Sequence, residues 1–136
     1  GSLSKEDYEA FVKPYSARVL AEAKKTGVPV ITFGTGTAPF LESFADTPAD
    51  VVGVDWHEPL DAAWKRIGLS RAVQGNMDPV RLFLPRPELK KAVKAVLERA
   101  GGRPGHIFNL GHGILQQTPP DNVRAVADWV HEWTAR

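Results

Sequence analysis

The residues best suited to chemistry sit in one short run, His106-Ile107-Phe108-Asn109-Leu110-Gly111-His112-Gly113. An apolar stretch with one polar interruption reads as a buried strand, and it delivers an imidazole held between two glycines. In parallel α/β proteins ligands bind at the carboxyl ends of strands, and glycine there leaves the backbone bare enough for close approach. His112 is therefore either a ligand contact, with Gly111 and Gly113 lining the pocket, or a cap for the next element across a tight turn. Three more clusters follow predicted strands in the same way. Gly34-Thr35-Gly36-Thr37 precedes a helix, where free backbone N–H groups can meet an anion or glycines can line a pocket. It lacks Walker A spacing and the full Gly-x-Gly-x-x-Gly fingerprint. Asp55-Trp56-His57 offers a carboxylate for catalysis or for hydrogen bonding to neighbouring loops, and the second use is expected. Gln74-Gly75-Asn76-Met77-Asp78 adds Gln74 and Asn76 as pocket candidates, while Asp78 before Pro79 reads as a helix N-cap. His57 has no partner at ligand spacing, so no metal is expected. His106 and His131 read as structural or exposed.

Those clusters need elements to hold them. Ser4-Lys5-Glu6-Asp7 resembles a capping box, and Tyr8, Phe11, Val12, Tyr15, Val19 and Leu20 recur at helical spacing behind it. One helix is predicted to about Thr26, kinked at Pro14 and ended by Gly27. Four strand–helix units follow. Val28–Phe33 is the first strand, with a short helix from Ala38 to Ala45. Asp50–Trp56 is the second, with a helix from Pro59 to Ile67 stopped by Gly68. Ala72–Gly75 is the third, with Asn76–Pro79 as its loop and a helix from about Pro87 to Ala100. His106–Leu110 is the fourth, with a long loop through Pro119-Pro120 and a final helix carrying Val123, Val126, Ala127, Val130 and Trp133. Trp129 and Trp133 are expected to pack or to lie on that helix's outer edge.

Strand–helix alternation argues for parallel strands and right-handed crossovers, with every strand-to-helix loop on one rim. An open flavodoxin-like sheet normally needs five strands and carries helices on both faces. A (β/α)8 barrel carries helices only outside and closes with eight units. The predicted fold class is α/β, half of a (β/α)8 TIM barrel: one N-terminal helix followed by four βα units, a single domain over residues 3–136. Gly1-Ser2 reads as a possible tag remnant.

Composition excludes several classes. At 136 residues the chain is about one domain, and 43% hydrophobic with 24% charged residues is too apolar for a disordered protein. A net charge of +1 gives no reason to expect nucleic acid or an anionic membrane surface. No apolar run is long enough to span a bilayer and no signal-peptide pattern opens the chain. Cysteine is absent, which rules out disulfides and thiolate metal sites and fits a cytoplasmic location. Lys90, Lys91 and Lys94 read as a solvated helix face.

Several segments, in this order, resemble the carboxyl-terminal half of the uroporphyrinogen decarboxylase family. They are Gly27–Ile31, Ala49–Trp56, Gln74–Pro79 and Gly105–Ile114, continued by Thr118-Pro119-Pro120-Asp121-Asn122-Val123 into the last helix. The resemblance runs from about Leu3 to about Glu132. It implies a barrel enzyme of haem and porphyrin biosynthesis, without cofactor or metal, that removes carbon dioxide stepwise from the four acetate side chains of uroporphyrinogen to give coproporphyrinogen. In that scheme arginines hold substrate carboxylates and an aspartate stabilises a transiently protonated pyrrole that accepts the electron pair. The family's arginines, aspartate and tyrosine belong to the first half of the barrel. The family's further Ser or Thr belongs just upstream of the segment that begins at Leu3, which this chain is expected to start too late to include, so of the family's site only the histidine matches, at His112. Its implied role is a hydrogen bond to a propionate or acetate carboxylate, or orientation of the ring. Related methyltransferases bind zinc through His-x-Cys and a distant cysteine; Thr32-Phe33-Gly34 stands at the corresponding strand end here. The chain is expected to be a fragment or half-barrel that is inactive alone. Its open interior and sheet edges should drive it to self-associate or to meet a complementary half-barrel.

Overall fold

A computed structural model describes residues 3–135. The reading of Gly1-Ser2 as a tag remnant, and the last residue of the expected domain, Arg136, lie outside them.

Ser4 caps α1 (Lys5–Phe11), its hydroxyl accepting from the Asp7 backbone N–H at 3.1 Å. The single kinked helix is corrected to two: α1 ends at Val12, and α2 (Lys13–Lys24) starts afresh with Pro14 in its first turn. Proline has no N–H to continue the preceding ladder, and the first turn is the one place where none is needed. The four units follow as β1 (Ile31–Phe33), a 3-10 turn leading into α3 (Leu41–Ala45), β2 (Val51–Gly53), α4 (Leu60–Ile67), β3 (Ala72–Met77), a 3-10 turn at Pro79–Phe83, α5 (Arg86–Ala100), β4 (His106–Leu110) and α6 (Pro120–Thr134).

Three strand boundaries depart from expectation, and β2 is cut from Asp50–Trp56 to Val51–Gly53 because the chain turns at Trp56 and His57. β1 is three residues long because Pro29 cannot donate to a ladder and the Val30 N–H goes to the Asp50 carboxylate at 2.9 Å. β3 runs on through Asn76 and Met77, predicted as loop, and pairs them with Asn109 and Leu110. Met77 earns the extension by burying its side chain, 1% exposed, in the cluster beneath the sheet.

All strands are parallel and stand in the order β1-β2-β3-β4, so each helical crossover moves one place along the sheet in one direction. Right-handed crossovers of that kind put their helices on one face. The burial pattern agrees. Val52, Val54, Val73, Met77, Phe108 and Leu110 pack into two clusters with Leu60, Trp64, Leu82, Leu89 and Val93 on one side, and Phe40, Leu41 and Phe44 on the other. The opposite face carries Ile31, Phe33 and Ile107, all more than 40% exposed, beside Gln74 and Asn109. Tyr8 of the α1–α2 stripe is buried against Phe40 and Phe44, but the rest is partly uncovered, with Phe11, Tyr15 and Val19 each above 60% exposed. A sheet this small leaves a layer of large apolar side chains in water, well beyond scattered surface exposure.

Candidate functional site

The carboxyl tips of all four strands form one rim, and its centre is Asp55. This carboxylate, 2% exposed, lies just beyond β2 and is shared among three donors. It accepts from the Gly36 backbone N–H in the loop after β1, from the His57 backbone N–H at 3.0 Å, and from His57 Nδ1 at 2.9 Å. A buried carboxylate without such donors would be costly, so its partners decide where the loops go. Asp55 thus joins the loop after β1 to the loop after β2. The Gly36 N–H is spent on that bond, and the Gly34–Thr37 turn does not present it to an outside anion. Gly34 is enclosed by Thr37 and Phe44, and Thr35 is half-buried.

The loop after β2 crosses the tip of β3 and meets the tip of β4. Asn76 props it from below: its buried amide donates to the carbonyls of Asp55 at 2.8 Å and Glu58 at 2.7 Å. Asn76 is thus a brace, and Gln74, expected at a strand end, lies mid-strand in register with Ile107 on the uncovered face. On β4 the Gly111 N–H donates to Met77 O at 2.8 Å, and a Cβ at Gly111 would stand 2.6 Å from the Trp56 backbone nitrogen. No side chain fits there. Gly75, at φ +135° beneath Val54 O, allows a similar close approach in β3. Gly113 has nothing within 4 Å of its would-be Cβ and leaves the loop open.

His112 is exposed at this rim, its Nδ1 3.4 Å from the Gly113 carbonyl. Its ring stands perpendicular to that of Trp56, at 6.1 Å and 88°, while His57 stacks on the same indole at 4.6 Å and 29°. Trp56 is the residue that sequence reasoning left without a role: it carries both imidazoles. The signal was available in Asp55-Trp56-His57, since an aspartate readily accepts from the backbone N–H two residues on and turns the chain there, which brings the His57 ring beside it.

Surrounding charges fix the rim further. Arg66 on α4 binds Glu58 at 2.6 Å and Glu42 on α3 through two 2.7 Å contacts. Hydrogen bonding from that guanidinium holds the Glu42 carboxyl down to about 2. Asp78 caps the 3-10 turn after β3, accepting from Val80 N at 2.9 Å. His106 is half-buried below, its Nε2 2.8 Å from Gly75 O, and burial lowers its pKa against the opposing effect of that bond. His131 is exposed. Trp129 and Trp133 stack 6.1 Å apart against the helical cluster, with Lys90 above both rings. Among the described residues no three His, Asp or Glu side chains converge as a metal-ligand set, and no helix is long and apolar enough to cross a membrane. A cleft of about 600 Å³ between α5, α6 and the start of β4 opens at the far end of the strands from His112.

Residues 1–133 match the family model described as Uroporphyrinogen decarboxylase (URO-D). The chain is 55% identical over 131 residues to the uroporphyrinogen decarboxylase of Sorangium cellulosum (strain So ce56), a stretch covering 96% of this chain and 38% of that protein. It is 50% identical over 132 residues to that of Carboxydothermus hydrogenoformans, covering 97% and 38%. Among solved structures it is similar to a methyltransferase from Methanosarcina mazei, with TM-score 0.77 and 22% identity over 98% of this chain and 39% of the other, a likeness of fold. The chain spans under two fifths of the length of these curated relatives. With the family matched over nearly its whole length, the chain belongs to the uroporphyrinogen decarboxylase family.

Proposed function

We propose that this chain supplies the carboxyl-terminal half of a (β/α)8 barrel that removes the acetate carboxyl groups of uroporphyrinogen to give coproporphyrinogen, in the cytoplasm and without cofactor. One observation carries the reading: four parallel strands in sequential order, covered by helices on one face and bare on the other, with His112 exposed at the shared rim. Four more units closing over Ile31, Phe33 and Ile107 would turn that bare face into a barrel interior. His112 then stands at the mouth, where it hydrogen-bonds a carboxylate arm of the tetrapyrrole. Gly34, Thr35, Gly36, Gly111 and Gly113 shape the floor around it, and Asp55 and Asn76 hold that floor in place. The chemistry itself needs an electron sink and cationic carboxylate holders, which in the family lie in the other half. The chain by itself is therefore expected to bind weakly and to release no carbon dioxide.

Isothermal titration with coproporphyrin tests this. The chain should bind, and His112→Ala should weaken binding roughly tenfold, the value of one hydrogen bond to a charged group. Equal titrations of the two proteins would overturn the assignment of His112. Turnover of uroporphyrinogen by the pure chain would overturn the division of labour. A second reading, a non-catalytic half-barrel whose property is self-assembly, is favoured by the exposed stripe of Phe11, Tyr15 and Val19.

A further inference from the structure

His57 stands out among the groups that the proposed function does not use. Its Nδ1 is bound to the buried Asp55 carboxylate and its backbone N–H to the same carboxylate, so both the ring and its peptide are fixed. When one imidazole nitrogen is engaged by a carboxylate, the proton is fixed there and the other nitrogen is the one offered outward. His57 Nε2 makes no hydrogen bond within the described residues, and the side chain is 53% exposed. The ring is stacked on Trp56, which also meets His112 in a perpendicular contact, so the two imidazoles flank one indole at the rim.

We infer that His57, aimed by Asp55, is a second ligand-contacting imidazole beside His112: with Nδ1–H kept on Asp55, Nε2 takes up a proton from solvent as the ligand binds and donates a hydrogen bond to a carboxylate arm of the tetrapyrrole. The inference rests on the proposed function for its ligand, a molecule with several carboxylates, and adds the contact for a second arm. Asp55 is a positioning residue: its negative charge at Nδ1 offsets the charge of a ring that donates from Nε2, and its bond to Gly36 ties that ring to the β1 loop. An imidazole held only for structure would need Nδ1 alone.

The two amide side chains separate those roles, because asparagine reproduces the position of Nδ1 and glutamine that of Nε2. Binding of coproporphyrin to the whole chain is measured for His57→Ala, His57→Asn and His57→Gln, beside His112→Ala. The expected result is roughly tenfold weaker binding for His57→Ala and His57→Asn, with His57→Gln within about threefold of the unaltered chain. Rescue by asparagine rather than glutamine would assign His57 to structure and overturn the inference. So would unaltered binding in His57→Ala while His112→Ala is weakened, a result that leaves the proposed function standing. Absence of coproporphyrin binding in every form would bring down both. A ligand-free readout tests the aim of the ring by itself. The ¹⁵N spectrum at pH 8 should show the His57 proton on Nδ1, a preference lost in Asp55→Asn, and coproporphyrin should move Nε2 toward its protonated range. A proton resting on Nε2 in the free chain would overturn the positioning by Asp55.

Discussion

At the residue scale the rim is built by side chains that bind backbone, and this makes its mutations sharply unequal. Gly111→Ala forces a methyl group against the Trp56 nitrogen, an overlap that only movement of the whole β2 loop can relieve. It should cost about 1–3 kcal/mol in urea unfolding and displace the His112 ring. Gly113→Ala, two residues away and facing open space, should change the same midpoint by under about 0.5 kcal/mol. A reversal of that order would contradict the close approach of the β2 and β4 loops. Asn76→Ala withdraws the donor from the Asp55 and Glu58 carbonyls while leaving both in place. Unpaired buried acceptors carry a penalty of about 1–3 kcal/mol. Asn76→Ala should therefore be destabilising by that order, measured by denaturant titration. Gly-His-Gly, Asp55 and Asp78 were legible as types at positions. The asparagine's work was not, because it depends on where a loop twenty residues earlier crosses the strand tip.

At the element scale, the helices follow their local chemistry closely and the strands do not. Ser4, Pro14, Gly68 and Gly101 mark helix ends, since caps and breakers act within a turn of where they stand. Strand ends depend on a partner: β1 is cut short by Pro29 and Asp50, and β3 is lengthened by pairing with Asn109 and Leu110. Between elements, Arg66 links α4 to α3 through Glu42 and to the β2 loop through Glu58. The Glu42 carboxyl is held below its unfolded value, so its stabilisation is whole above the ordinary carboxylate range and is lost as pH falls toward about 2. Glu42→Gln should flatten the decline of the thermal midpoint between about pH 4.5 and pH 2. The side chain is 59% exposed, and screening by water keeps the effect at neutral pH under about 1 kcal/mol. An unchanged acid profile in Glu42→Gln would show that the pair contributes nothing in solution.

At the scale of the molecule, one side of a four-stranded sheet is finished and the other is not. Ile31, Phe33 and Ile107 on the bare face, with Phe11, Tyr15 and Val19 on the first two helices, leave apolar area that burial would stabilise at about 25 cal/mol per Å². The chain should therefore sediment as a dimer or larger at micromolar concentration, and Phe33→Lys should shift it toward monomer. A stable monomer in both forms would refute the expectation. Fold class, strand order and the rim position of His112 follow from periodicity, turn chemistry and the matched segments, because those signals are local or accumulate along the chain. Tertiary structure alone decided that Asp55 bonds the Gly36 N–H in the loop after β1 as well as His57 in its own loop, and that Trp56 brings His57 and His112 onto one indole. Each of these depends on groups far apart in sequence meeting at a strand tip, and no spacing along the chain encodes the distance between two loops in space.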